Sequence, residues 1–191
     1  MHLVLEVLFY GPVDKQLAWG PETHYDNTVG SRSSSTKETN LAYIAGFLDG
    51  DGSLMLQLKK RSDSGRGVRF MATICLYQDS RHEAPLLWMQ KEIRCGYVSR
   101  RNDGMTELRI QGFSQVRETL ETFLPYLRFK RIQASALLKA CLMLEEHTLR
   151  TMTSKSMRTI VDLMLLIQSE NYMSKGRKTK DDLLQLLGLT P

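Results

Sequence analysis

Between Leu41 and Gly52 the sequence sets three small residues, Ala42, Gly46 and Gly50, four apart in a largely apolar run, and then stops the run with Asp49-Gly50-Asp51-Gly52. That spacing predicts a helix over 41–49, with Thr39 or Asn40 as its N-cap and the glycines at 50 and 52 ending it. The small residues fall on one face, along which a second helix backbone can approach closely. A mid-helix glycine costs about 1 kcal/mol relative to alanine, so Gly46 calls for a packing reason. Asp49 and Asp51 stand where the helix dipole is negative, each disfavoured there by roughly 0.3–1 kcal/mol. A bound cation would relieve the crowding. Hard oxygen donors beside an unwinding turn suit Mg2+, with Ca2+ or Mn2+ able to replace it in binding. An arbitrary Asp-Gly-Asp-Gly string is more often a solvated turn.

The residues that follow alternate. Over 53–61, Leu54, Leu56 and Leu58 fall on one face and Met55, Gln57, Lys59 and Arg61 on the other. Over 68–77, Phe70, Ala72, Ile74 and Leu76 oppose Arg69, Met71, Thr73, Cys75 and Tyr77. Period two with a short glycine-containing loop between predicts an antiparallel hairpin. A helix over 82–93 follows, then a second hairpin, 96–101 and 106–111, around Asn102-Asp103-Gly104. Helices are expected over 114–123, 130–146 and 155–171, with a short one at 181–187. The order is α-β-β-α-β-β-α, an α+β fold without internal repeat.

The string Ile44-Ala45-Gly46-Phe47-Leu48-Asp49-Gly50-Asp51-Gly52 resembles the LAGLIDADG signature of homing endonucleases, identical at five of its nine positions. Gly96-Tyr97-Val98, and Leu124-Pro125-Tyr126-Leu127-Arg128-Phe129-Lys130-Arg131-Ile132-Gln133-Ala134 leading into a helix, are similar to the single-motif, homodimeric branch found in chloroplast rRNA-gene introns. The resemblance covers residues 40–146. It implies an antiparallel saddle sheet backed by helices, with 147–191 as a helical extension of the endonuclease domain 40–191. It also implies that Asp51 and the Gly50 carbonyl hold the metal, that Gln78 orders active-site water and that Lys130 supports the scissile phosphate. Ungapped counting from Gln78 puts His82, with Arg81 adjacent, where the family has a further basic residue. Asp49 is then structural.

With one motif per chain, cutting two strands calls for a homodimer, its interface formed by Ala42, Gly46, Asp49 and Gly50 across a two-fold axis. The expected activity is metal-dependent phosphodiester hydrolysis at a long, pseudo-palindromic duplex. The polar strand face supplies the DNA contacts: Met55, Gln57, Lys59, Arg61, Arg69, Met71, Thr73 and Cys75, joined by Ser99, Arg101, Glu107 and Arg109. An intron RNA maturase and a cleavage-inactive DNA-binding protein are the rival readings.

Charge agrees with a polyanionic partner. Residues 1–40 hold three basic and five acidic residues, leaving 23 basic and 16 acidic in 41–191, a net +7. Lys175, Arg177, Lys178 and Lys180 form a basic run, read as a solvated cluster or a phosphate contact. No apolar run approaches the roughly 20 residues that span a bilayer, so no membrane partner is expected; with duplex DNA as the expected substrate, no small-molecule substrate is expected either. Three cysteines, Cys75, Cys95 and Cys141, make an unpaired set that fits a reducing intracellular compartment, a chloroplast or other organelle by the resemblance. Residues 1–39 read as a flexible or vector-derived tail: 30–39 is rich in Ser, Thr and charge, and Leu5 to Pro12 resembles a 3C-type protease site with Tyr10 in place of its glutamine.

Overall fold

The computed structural model describes residues 32–60, 67–171 and 178–190, with side chains described from Thr36 onward. The elements are α1 (Arg32–Asp51), β1 (Gly52–Lys60), β2 (Val68–Asp79), a 3-10 turn (Ser80–His82), α2 (Ala84–Ile93), β3 (Tyr97–Arg100), β4 (Met105–Gln111), α3 (Phe113–Phe123), α4 (Arg131–Glu146), α5 (Ser154–Glu170) and α6 (Lys180–Leu186).

Two expectations at the front are overturned. α1 starts at Arg32, so 32–39 is helix rather than linker and neither Thr39 nor Asn40 is its N-cap. Asn40 instead donates from Nδ2 to Glu92 Oε2 on α2, 3.0 Å away. The second helix starts two residues later than expected. Asp79 accepts the Arg81 N–H at 2.9 Å and caps a separate 3-10 turn, and Pro85 then opens α2.

All strand pairs are antiparallel and the sheet order is β1-β2-β4-β3. Register sorts the faces as the alternation demands. Leu54, Leu56, Leu58, Phe70, Ile74, Leu76, Leu108 and Ile110 are buried against the helices, where Ile44, Ala45 and Leu48 of α1, Val116, Leu120 and Phe123 of α3 and Leu137 of α4 complete the core. α5 and α6 add Met157, Ile160, Val161, Met164, Ile167, Leu183 and Leu184 to the same core. They also close the outer edge of β1: Asn171 Nδ2 donates to the Leu54 carbonyl at 3.1 Å and Lys178 Nζ to the Leu58 carbonyl at 3.5 Å. A covered edge is protected from pairing with another sheet.

Two glycines are dictated by space. A Cβ on Gly52 would lie 2.8 Å from the Leu48 carbonyl oxygen, so the sharp exit from α1 into β1 admits no side chain. Gly96 has φ +83° and its Cβ would lie 2.7 Å from the Arg109 carbonyl oxygen, which lets β3 start flush against β4.

Candidate active site and nucleic-acid interface

The last turn of α1 separates its two aspartates. Asp49 points inward and is 8% exposed. Its carboxylate accepts the backbone N–H groups of Arg128 at 2.6 Å, Phe129 at 3.3 Å and Lys130 at 3.0 Å. Those groups belong to the turn that enters α4, so Asp49 ties that turn to the end of α1. Sequence reasoning places Asp49 both in a structural role and at a dimer interface; within this chain its carboxylate is engaged by its own backbone.

Lys130 completes the tie. It is 8% exposed, and its Nζ donates to the carbonyls of Asp49 and, at 3.3 Å, Gly50. An ammonium at a helix C-terminus meets the negative end of the dipole. Burial pushes Lys130 below the usual lysine range, against the pull of Asp49 and Asp51. Asp51, one residue beyond Gly50, is exposed at the helix tip. The two residues, 79 positions apart in sequence, therefore share one end of the sheet.

Gln78 comes to the same end, because Gly52 pairs with Leu76 and β2 runs on past it. The Gln78 side chain is half-buried and its Oε1 accepts the Asp79 N–H at 2.9 Å. His82 is exposed in the turn beyond. Arg81 is engaged: its guanidinium grips Asp79 at 2.7–3.2 Å and holds that carboxyl well below the usual range.

The donors fit a hard divalent cation in kind. Asp51 offers an exposed carboxylate, and the Gly50 carbonyl retains a lone pair beside the one taken by Lys130. They do not fit it in number: among the described residues no group of three or more His, Cys, Asp or Glu is gathered to hold a metal.

Register unites the polar face. Met55 pairs with Thr73, Gln57 with Met71, Lys59 with Arg69, Cys75 with Arg109, and Ser99 with Glu107. Lys59, Arg69 and Arg101 are exposed and Met55, Gln57, Met71, Ser99 and Arg109 half-buried. Three of the expected contacts lie deeper: Thr73 is 2% exposed, Cys75 0% and Glu107 6%, all on the two central strands, β2 and β4. Burial also pushes the Cys75 thiol up. Arg61 lies outside the described residues, as do Lys175 and Arg177; Lys178 contacts β1, and Lys180 pairs with Asp162 at 2.6 Å. Tyr77, Tyr97 and Gln111 share this face, and the alternation that found the others marks them as well.

The remaining small residues of α1 face outward. Ala42, Gly46 and Gly50 are exposed, and a Cβ on either glycine would meet nothing within 4 Å among the described residues. Tyr43 is 58% exposed, Phe129 84% and Ile132 52%.

Residues 44–139 match the family model described as LAGLIDADG endonuclease. The chain is 30% identical over 141 residues to the DNA endonuclease I-CvuI of Chlorella vulgaris, covering 74% of this chain and 83% of the relative. It is 29% identical over 99 residues to the DNA endonuclease I-CreI of Chlamydomonas reinhardtii, covering 52% and 60%. The crystal structure of I-CvuI in complex with its target in 2 mM Ca has a TM-score of 0.70 at 27% identity over 82% of this chain and 99% of that one. I-CvuI on the I-CreI target in 2 mM Mg, with the DNA not cleaved, has a TM-score of 0.68 at 28% identity with the same coverage.

Proposed function

This chain belongs to the LAGLIDADG endonuclease family, and from that premise we propose that it is a homing endonuclease that hydrolyses both strands of a long, pseudo-palindromic DNA site as a homodimer. The observation that carries the reading is the division of labour at the end of α1: Asp49 is consumed in anchoring Lys130, while Asp51 stands exposed beside it.

Asp51 and the Gly50 carbonyl would hold a divalent cation, Mg2+ in the working enzyme; when bound, it supplies Lewis acidity and activates water for in-line attack. Ca2+ and Mg2+ were present in the I-CvuI structures. The other roles fall to this chain's own groups. Lys130, fixed by its carbonyl partners, offers a cation to the scissile phosphate. Gln78 orients water through its amide, and His82 is the further basic group at the same end of the sheet. No covalent nucleophile is needed.

The dimer reading is supported by the open face of α1. Among the described residues Gly46 has no packing partner that would explain a glycine, and Tyr43, Phe129 and Ile132 are exposed apolar surface. Two copies meeting there would bring two Asp51 carboxylates to one axis and add oxygens to the few that the described residues of one chain gather. The sheets would then form one saddle, with Lys59, Arg69, Gln57 and Arg109 toward base edges. Three free cysteines support a reducing compartment, an intron-bearing organelle such as the chloroplast.

A cleavage selection tests the reading: a randomised duplex library is incubated with the full chain in Mg2+ and, separately, in Ca2+. Double-strand breaks at one extended, near-symmetric site in Mg2+, with binding alone in Ca2+, are expected. Binding without cleavage in any divalent metal would contradict it.

A further inference from the structure

Near the middle of the polar sheet face a carboxylate is gripped from two sides. Glu107 lies in register between Tyr77 on β2 and Ser99 on β3. Arg109, two residues along β4 on the same face, donates from Nε to Oε1 at 2.9 Å and from Nη2 to Oε2 at 3.0 Å. Arg101 approaches from the β3–β4 turn, its Nη1 3.9 Å from Oε2 and its guanidinium 5.8 Å from the Tyr77 ring centroid. Nη2 of Arg101 lies 2.8 Å from Asp103 Oδ2.

A buried carboxylate is unfavourable unless paired, and Glu107 is too deeply placed to touch a groove edge itself. What it does is consume donors selectively. Arg109 has five N–H groups in a planar fork. The grip takes the Nε–H and one N–H of Nη2, leaving both on Nη1 and the second on Nη2. The free pair at the outer end is the one that can bind the O6 and N7 of guanine together. A guanidinium without that grip would rotate freely and meet a phosphate as readily as a base.

We propose that Glu107 is a positioning residue that sets base preference by holding Arg109 end-on toward a guanine, with Arg101 steadied beside it. The inference rests on the sheet face being a DNA-reading surface. It assigns to Glu107 a role through arginine rather than a base contact of its own.

The test begins with a duplex selected by the full chain in Ca2+. Every single-base variant of that site is then bound by the wild type, Glu107→Gln, Arg109→Ala and the double variant. The wild type is expected to prefer guanine at one position per half-site by about 5- to 150-fold, the span a bidentate arginine–guanine pair confers; Arg109→Ala removes that preference and Glu107→Gln reduces it about threefold or more. Preferences elsewhere stay as they were, and in the double variant the glutamine changes nothing further. An undiminished guanine preference in Glu107→Gln, an equal loss at all positions, or a glutamine effect that persists without Arg109 would overturn the proposal. Should Glu107→Gln fail to fold by thermal melting, Arg109→Ala decides alone, and an unaltered base profile in that variant overturns it. A wild type with no sequence preference at all would instead count against the proposed function.

Discussion

Asp49→Asn exchanges a carboxylate serving three backbone N–H groups for an amide with one acceptor oxygen. The site is buried, so an N–H left unpaired has no water to turn to, and the variant should lose about 1–3 kcal/mol of stability. The reading is a lower urea midpoint at unchanged slope; an unmoved midpoint would mean that the tie between α1 and α4 is ornamental. The cysteines give a second residue-scale outcome. Cys75 and Cys141 are buried and Cys95 half-buried, and burial pushes Cys141 up to about 12. A thiol reagent at pH 8 should therefore modify one group quickly in the native protein and all three after denaturation. The linkage has a definite sign: the native state keeps a Cys141 proton that the unfolded chain releases above about 8.5. Stability should be untouched by this group below that pH and fall as pH rises toward about 12. A Cys141→Ala variant should show a flatter alkaline decline. In the sequence the two aspartates are alike, two acids crowded at a helix end. The motif resemblance assigns them different roles, but the physical contact that distinguishes them is made by a turn about 80 residues away, which composition and periodicity do not report.

At the scale of elements, α1 makes opposite demands on its glycines. Gly46→Leu places its bulk where a Cβ meets nothing within 4 Å, and leucine is a better helix former than glycine by up to about 1 kcal/mol. The variant should fold at least as well as the parent yet sediment as a monomer, because the stripe no longer admits a second backbone. A folded, active dimer would move the interface elsewhere. Gly52→Ala should do the reverse, lowering the melting temperature through its clash with the Leu48 carbonyl while leaving the stripe intact. The strands were legible because the apolar residues keep period two over 54–58 and 68–76, although burial itself is unbroken from Ala72 to Leu76. The first turns of α1 were not. Ser33, Ser34, Ser35 and Thr36 carry no apolar period, and such residues compete with helix through their own side-chain hydrogen bonds. On the polar face, alternation found which residues share a side but not how deep each sits. Depth depends on neighbours across the sheet, which is why the burial of Thr73, Cys75 and Glu107 was not legible.

At the scale of the whole molecule, the proposed function joins a basic reading surface to one cutting centre per chain. The folded part carries a net +7 from Leu41 onward, so affinity for any duplex should fall steeply with salt while preference among sequences survives. The central claim is that Asp51, and not the charge of the surface, makes the chain an enzyme. Asp51→Asn tests it on the selected duplex, with cleavage followed in Mg2+ and binding in Ca2+. The side chain is exposed and Asp49 still anchors Lys130, so the fold and the reading face should be unchanged. Cleavage should slow by at least about a thousandfold, roughly 4 kcal/mol of transition-state stabilisation, with DNA affinity within a few-fold of wild type. Cleavage at the wild-type rate by Asp51→Asn would contradict the claim.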